Sequence, residues 1–173
     1  STAKSKPLAG NQEYNAFFTA EKERIKGNKN KARSLYREFV KKYKTNAAAY
    51  YNLSKLEFMS FNFNSAEEHA SKAVDLSPKN KYYLENFADV LSLNKKPKKA
   101  IGIYEKLSTL YKENADTYQY KMFKIYTDLD DYDKAYKTLN SLERSWGVSP
   151  EITMQKVELL LKQKKESEAI EQV

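Results

Sequence analysis

The side chains that could perform chemistry in this sequence are few. Its 173 residues include one histidine, His69, and no cysteine, which excludes disulfides and any zinc site built on thiolates. His69 has Glu67 and Glu68 beside it but no second histidine, so it is expected to be a partly exposed surface residue within a helix. No nucleophile–base pair and no glycine-rich phosphate loop is recognisable. The sequence therefore predicts a protein that is not an enzyme and uses no cofactor.

Two charged runs could suggest binding sites. The acidic run over residues 128–133 is similar to a calcium loop, but the required glycine and distal glutamate are replaced by Asp133 and Leu139. Asp130 and Asp131 are better explained as caps of a following helix. The lysine-rich run over residues 95–99 is interpreted as an exposed turn between helices rather than a nuclear-import signal. No metal site is predicted.

The net charge of +8 is concentrated at the amino end of the chain. Residues 1–46 contain 12 Lys or Arg residues and four acids, whereas residues 115–173 contain nine and eleven. Only four of the 31 basic residues are arginine, the residue that makes most bidentate contacts to bases. Binding of nucleic acid or of an anionic surface by the basic amino-terminal repeat (residues 13–46) is therefore a minor alternative function. Nucleic acid is not an expected partner. No apolar run is long enough to predict a membrane span.

An alanine recurs through the whole chain at a nearly constant interval. The positions are Ala32, Ala66, Ala100, Ala135 and Ala169, and each follows a predicted turn. Apolar residues with helical spacing lie on both sides of each turn, so each interval is predicted to hold two helices. A period of about 34 residues indicates stacked helix pairs.

These intervals predict the organisation of the chain. Residues 1–12 are expected to form a flexible amino-terminal tail, followed by a repeat domain over residues 13–173. The predicted repeats cover residues 13–46, 47–80, 81–114, 116–149 and 150–173, which makes about four and a half to five repeats. The last repeat lacks most of its second helix. The sequence is therefore expected to be a fragment of a longer protein, with an uncapped carboxyl end through which copies could self-associate.

The residues at matching positions resemble those of the tetratricopeptide repeat (TPR). They are Ala20, Gly27, Ala32, Tyr36 and Phe39 in the first repeat; Asn52, Leu53, Ser54, Phe63, Ala66, Ala73 and Pro78 in the second; Asn86, Phe87, Ala88, Ala100, Tyr104 and Leu107 in the third; and Tyr126, Asp131, Tyr132, Ala135, Leu139 and Leu142 in the fourth. The resemblance implies an all-α, right-handed α-solenoid of stacked antiparallel helix pairs. Two positions depart from it: Glu23 replaces an aromatic or aliphatic residue, and Lys95 replaces a turn glycine.

The resemblance also implies a binding site, because the first helix of every TPR repeat lines a concave groove. The matching positions are Tyr14, Phe17, Glu21, Arg24, Tyr51, Lys55, Phe58, Met59, Tyr82, Glu85, Asp89, Tyr120, Lys124 and Asp128. Aromatic side chains with a few charges suit an extended or helical peptide. Two alternatives remain open: these aromatics could belong to the core, or the chain's own tail could fill the groove.

The resulting interpretation is a non-catalytic scaffold that binds a peptide or protein partner through this groove. The main alternative is an architectural or assembly module of a longer cell-envelope or signalling protein. A chaperone-binding role is not expected, because only Asn86 and Lys121 match the Lys and Asn clamp used for that purpose. The amino end and the sequence Tyr82-Tyr83-Leu84-Glu85 are similar to exported TPR proteins of Bacteroidetes-type bacteria. That similarity implies a periplasmic or cell-envelope location, with the cytoplasm as the alternative.

Overall fold

A computed structural model describes residues 9–163 and Glu171. Within this part of the chain there are nine α-helices and no strand, which confirms the all-α prediction. The helices are α1 (Ala9–Ile25), α2 (Lys29–Lys42), α3 (Ala47–Met59), α4 (Phe63–Leu76), α5 (Lys81–Leu93), α6 (Pro97–Leu110), α7 (Ala115–Asp128), α8 (Tyr132–Trp146) and α9 (Pro150–Lys162), with a 3-10 turn at Lys112–Asn114. Ala169 and the predicted second helix of the last repeat lie outside the described residues.

The first helix begins earlier than the sequence predicts. We expected the tail to extend through residue 12, but α1 starts at Ala9. Early in α1, Asn46 Nδ2 donates a hydrogen bond of 3.1 Å to Glu13 Oε1. This bond joins α1 to the start of α3, where Asn46 is also the N-cap. Residues 1–8 of the predicted tail lie outside the described residues.

The chain divides into two compact units, an amino-terminal unit of residues 1–94 and a carboxyl-terminal unit of residues 95–173. In the amino-terminal unit, each of helices α1 to α4 contacts the next helix along the chain, and α3 also contacts α5. In the carboxyl-terminal unit, α7 contacts α6 and α8, and α8 contacts α9. Within each unit, short turns join consecutive helices, so neighbouring helices run antiparallel and alternate helices run in the same direction.

The recurring alanine is a core position in both units. Ala32 and Ala66 in the amino-terminal unit, and Ala100 and Ala135 in the carboxyl-terminal unit, are completely buried. Because protein cores are closely packed, a side chain larger than alanine is expected to overpack at these positions. The large core side chains around them are Tyr36, Leu53, Leu84 and Leu91 in one unit, and Tyr118, Leu107, Leu139 and Leu142 in the other.

The turn inside each helix pair has the same left-handed backbone. Gly27, Phe61, Lys95 and Asp130 occupy equivalent positions and have φ angles of 81°, 61°, 59° and 56°. In three of these turns the next backbone N–H donates to a carbonyl five residues earlier: Asn28 to Glu23 (3.0 Å), Asn62 to Glu57 (2.9 Å) and Asp131 to Tyr126 (2.9 Å). Such bonds end a helix in a left-handed residue, which is usually glycine. Lys95 therefore adopts the conformation of the glycine that it replaces.

Lys95→Gly is expected to stabilise the protein by up to about 1 kcal/mol, because glycine adopts a positive φ without the Cβ clash that other residues experience. The same change at Lys106, which is exposed inside α6, is the control and should destabilise by about 1 kcal/mol, since glycine is a poor helix former. Urea unfolding of both variants measures the two effects. A loss of stability in Lys95→Gly comparable to that in Lys106→Gly would contradict the left-handed assignment.

Candidate binding surface on the first helices

Exposed apolar side chains of the amino-terminal unit are confined to one set of elements. They lie on α1, α3, α5 and the turn after α3, and they are Tyr14, Phe18, Ile25, Met59, Phe61, Tyr82 and Leu93. Among the described residues, α2 and α4 contribute none, because their apolar faces are directed at the core. The first helices of the helix pairs thus carry the exposed apolar surface of this unit.

The predicted aromatic positions of α1 separate into surface and core. The Tyr14 ring stacks on that of Phe18 with centroids 6.2 Å apart, and both side chains are exposed. The Phe17 ring instead lies edge-on against Tyr36 and Phe39, at 5.8 and 5.7 Å. Phe17 therefore packs largely into the core, as one of the open alternatives anticipated.

On α3 and α5 the structure brings several predicted residues together. The Tyr51 ring lies 5.0 Å from that of Tyr83, and Lys55 Nζ lies 5.3 Å from the centre of the Tyr51 ring. Burial raises the pKa of Tyr83, which stays a neutral phenol. Tyr82, the neighbour of Tyr83 on α5, is 66% exposed. Of the other predicted positions in this unit, Met59 is exposed, whereas Phe58 and Glu85 are half-buried and Asp89 is exposed.

Glu21 and Arg24, two predicted groove residues, belong to a polar network that joins three helices. The Arg24 guanidinium donates to the Glu21 carboxylate, with Nε 3.0 Å from both oxygens. The Tyr36 hydroxyl also donates to Glu21, and Asn52 Nδ2 donates to Glu21 Oε2 (3.1 Å) and to Tyr36 Oη (3.0 Å). These bonds connect α1 to α2 and α3.

The pKa values of this network follow from its hydrogen bonds. The bond from Arg24, followed by that from Tyr36, lowers the pKa of Glu21 although partial burial opposes the shift. Burial and the bond to Glu21 both raise the pKa of Tyr36. The carboxylate is therefore ionised and the phenol neutral at physiological pH. Glu21 and Arg24 are already paired with each other, so their main contribution is to hold α1, α2 and α3 in place.

The departure of Glu23 from the TPR motif has a structural explanation. Glu23 is almost completely buried, accepts a hydrogen bond of 2.7 Å from Asn28 Nδ2, and lies 3.3 Å from Lys31 Nζ. Glu57, at the equivalent position of the next repeat, is fully buried and accepts a bond of 2.9 Å from Asn62 Nδ2. In both repeats an acid near the end of the first helix binds an asparagine just before the second helix.

Glu57 also forms a buried ion pair with Arg37. Arg37 of α2 donates from Nε to Oε1 (2.6 Å) and from its terminal nitrogen to Oε2 (2.9 Å). Burial by itself would raise the pKa of Glu57, but the bonds from Arg37 and Asn62 outweigh it and lower the pKa below its usual value. No sequence pattern predicts this pair, because its members are 20 residues apart on different helices.

Asn86, the only clamp-like residue of α5, has a structural role. Its Nδ2 donates to Ser54 Oγ (2.9 Å), and the Ser54 hydroxyl donates to the carbonyl of Ala66 (2.8 Å). The chain of bonds links α5, α3 and α4. Its geometry is consistent with the sequence interpretation that Asn86 does not form part of a chaperone clamp.

The other chemically suggestive residues are in ordinary structural positions. His69 is half-buried within α4, its ring 6.1 Å from that of Tyr50, as predicted for a surface histidine. Asp131 is the N-cap of α8: its side chain accepts from Lys134 N (3.3 Å) and lies 3.0 Å from Lys134 Nζ. The capping prediction is confirmed for Asp131. No group of three metal-ligating side chains occurs in the described part of the chain.

The carboxyl-terminal unit has its own exposed groups. Tyr120 of α7 is partly exposed and its ring lies 6.3 Å from that of Trp146, while Lys124 and Asp128 lie on the same helix, with Lys124 exposed. Lys156 of α9 is 4% exposed and is paired with Glu143.

No described helix combines the length and apolar character needed to cross a membrane.

The comparisons with known proteins identify the fold. No protein-family model and no curated protein sequence matches the chain. Solved structures do: a MamA protein superposes with a TM-score of 0.78 at 17% identity, over 94% of this chain and 88% of MamA. YrrB, described as a TPR protein with an unusual peptide-binding site, gives 0.72 at 15% identity over 91% and 80% of the two chains. PilF of Pseudomonas aeruginosa gives 0.63 at 18% identity over 92% and 72%. The chain therefore has the all-α fold of TPR proteins.

Proposed function

We propose that this chain is a non-catalytic scaffold that binds a peptide segment of a protein partner through the first helices of its amino-terminal unit. The observation that carries the proposal is the segregation of exposed apolar residues, which occur on α1, α3 and α5 but not on α2 or α4 among the described residues. A surface that served only solubility would not need this asymmetry.

The chemistry of the surface defines the ligand. Tyr14 and Tyr82 supply exposed aromatic rings on α1 and α5, and such residues often dominate binding energies. Lys55 of α3 and Asp89 of α5 are exposed and carry one charge of each sign. An extended segment with apolar anchors and both kinds of charge fits this arrangement. The description of YrrB as having a peptide-binding site supports the same class of ligand.

The Glu21 network contributes to the mechanism by fixing the framework. Because Glu21, Tyr36 and Asn52 join α1, α2 and α3 by hydrogen bonds, the surface side chains are held before the ligand arrives. Such preorganisation reduces the ordering cost of association. Binding is therefore expected to leave the helix positions unchanged.

Tyr82→Ala is expected to weaken partner binding by at least about 2 kcal/mol, or roughly thirtyfold in Kd, because truncating an aromatic hot spot of an interface has an effect of this size. Leu110→Ala, which truncates an exposed residue of α6, is the control and should bind normally. The wild type and both variants are used for affinity capture from cell-envelope extract with quantitative mass spectrometry. The enriched partner is then titrated by calorimetry. Equal capture and equal affinity for all three proteins would overturn the proposal.

A further inference from the structure

A second exposed apolar feature lies at one end of the amino-terminal unit. Ile25, Met59 and Leu93 occupy the last positions of α1, α3 and α5, and they are 72%, 50% and 59% exposed. Phe61, in the turn after α3, is 81% exposed. We call these four residues the turn-edge patch. Ile25, Met59 and Leu93 recur with the same spacing as the buried alanines, so the repeat also repeats an exposed aliphatic residue.

The four residues lie along one edge because alternate helices run in the same direction. The last turns of α1, α3 and α5 therefore point to the same end of the unit. A hydrogen bond at this end, from Asn94 Nδ2 to Asn64 Oδ1 (3.1 Å), connects the end of α5 to the start of α4. The patch thus follows the turns of successive repeats and lies outside the positions that the TPR resemblance assigns to the groove, except for Met59.

Phe61 is held in this position at an energetic cost. Its φ of 61° places a bulky residue in the left-handed region, where glycine would be unstrained. The Phe61 ring lies edge-on to the Phe63 ring, with centroids 6.1 Å apart, but remains mostly exposed to solvent. Core packing therefore does not account for an aromatic residue here. Residues held in sparsely populated backbone conformations cluster at functional sites.

The same end is strongly basic. Residues 22–33 contain six Lys or Arg residues and a single acid, Glu23. Arg24 is paired with Glu21 and Lys31 with Glu23. Three exposed lysines, Lys22, Lys26 and Lys29, surround the end of α1 and the start of α2. The patch is therefore apolar with a cationic border at its α1 end.

The acids near this edge leave that border cationic. They are Glu67 of α4, which accepts a hydrogen bond from Asn94, Glu68 of α4, and Asp89, which is exposed one turn before Leu93 on α5. All three lie on different helix pairs from the lysines of α1 and α2. The lysines around Ile25 are therefore available to an anionic surface.

We infer that the turn-edge patch docks onto the surface of an anionic lipid bilayer. Phe61 and its aliphatic neighbours enter the headgroup region, and the lysines around Ile25 bind lipid phosphates. A bilayer is favoured over a peptide because the patch is made of helix ends and a protruding turn rather than a groove. Residues that lie in a row along one edge can contact a flat lipid surface together. Apolar insertion combined with basic residues is the usual basis of peripheral binding to anionic membranes. The patch shares Met59 with the proposed peptide surface, whereas Ile25, Phe61 and Leu93 are not among the predicted groove positions.

The test is co-sedimentation with vesicles of phosphatidylcholine and phosphatidylglycerol, beside vesicles of phosphatidylcholine alone. The wild type should bind the anionic vesicles, more weakly as salt increases, and should bind the neutral ones poorly. Phe61→Gly should reduce binding at least about tenfold, since it removes an inserted ring. Because glycine also relieves the positive φ, this variant should fold at least as stably as the wild type. Ile25→Ser is a second variant of the same patch.

Tyr82→Ala is the matched control, because it removes an exposed ring at the opposite end of α5. It should bind vesicles normally while losing the protein partner, and Phe61→Gly should do the reverse. A direct readout is the variant Phe61→Trp/Trp146→Phe, whose only tryptophan would shift to shorter emission wavelength and be quenched by brominated lipid. Absence of vesicle binding, or full binding by Phe61→Gly, would overturn the inference. So would loss of the protein partner rather than of vesicles in Phe61→Gly.

Discussion

Arg37→Ala is expected to destabilise the protein by about 2–4 kcal/mol near neutral pH, because it leaves a buried carboxylate without its counter-charge. Glu57 is fully buried and receives two hydrogen bonds from Arg37, so only the bond from Asn62 would remain. Part of the Arg37 side chain is exposed, which places the effect below that of a completely buried pair. Urea unfolding provides the measurement.

The effect should depend on pH in a defined direction. In the wild type the pKa of Glu57 is lowered on folding, so its contribution to stability is present above the unfolded pKa and is lost as pH falls through the folded pKa. Without Arg37, burial dominates and raises the pKa of Glu57 above its unfolded value. Protonation then relieves the variant as pH falls. The stability deficit of Arg37→Ala should therefore be largest near pH 7 and shrink toward about pH 4.

Lys41→Ala is the matched control on the same helix. Lys41 pairs with Glu38 at 2.7 Å, but both side chains are largely exposed, and such pairs contribute little to stability. Its loss should change the free energy of unfolding by less than about 0.5 kcal/mol, with little dependence on pH. A deficit for Arg37→Ala that is equally small, or that is constant between neutral and acidic pH, would be inconsistent with the buried pair.

Leu53→Ala is expected to destabilise the protein by about 2–5 kcal/mol. Leu53 is completely buried in α3, within the core formed with Tyr36, Phe39 and Leu56, so truncation removes apolar contacts and leaves a cavity. The size of the effect depends on how far the surrounding helices can close the cavity. Chemical unfolding with circular dichroism measures it.

Met59→Ala serves as the comparison, since Met59 lies on the same helix but is half exposed. It should change stability by less than about 1 kcal/mol, because its side chain is only partly removed from water. Comparing Leu53→Ala with Met59→Ala distinguishes a residue that stabilises the fold from one that is exposed and can contact a ligand. Similar losses of stability in both variants would show that the exposed face of α3 is packed in solution.

The sequence predicts the helix pairs well because their signals are local and periodic. The buried alanines, the apolar stripes and the caps lie within a few residues of the structures they determine. At Lys95 the residue type departs from the TPR motif, but the backbone still adopts the left-handed conformation of the turn. Spacing therefore predicted the element correctly even where the residue type did not match.

The binding surface is less predictable because exposure depends on contacts between distant residues. Phe17 and Phe18 are neighbours in the sequence, yet Phe17 meets Tyr36 and Phe39 while Phe18 is exposed. Helical spacing alone does not determine which of two adjacent aromatics faces a neighbouring helix. The exposed aliphatic residues at the ends of α1, α3 and α5 did have a sequence signal, their regular spacing, but periodic apolar residues were interpreted as core.

The left-handed turns have a consequence for how this fold persists while its sequence diverges. Gly27 keeps the residue that suits the turn, but Phe61, Lys95 and Asp130 reproduce its backbone with three unrelated side chains. In three of the four turns, the helix is ended by main-chain hydrogen bonds, which any amino acid except proline can supply. The backbone geometry of the turn therefore does not require one particular side chain at these sites. A repeat can therefore lose its most recognisable residue at a modest cost in stability, and the fold is kept although the sequence motif is not.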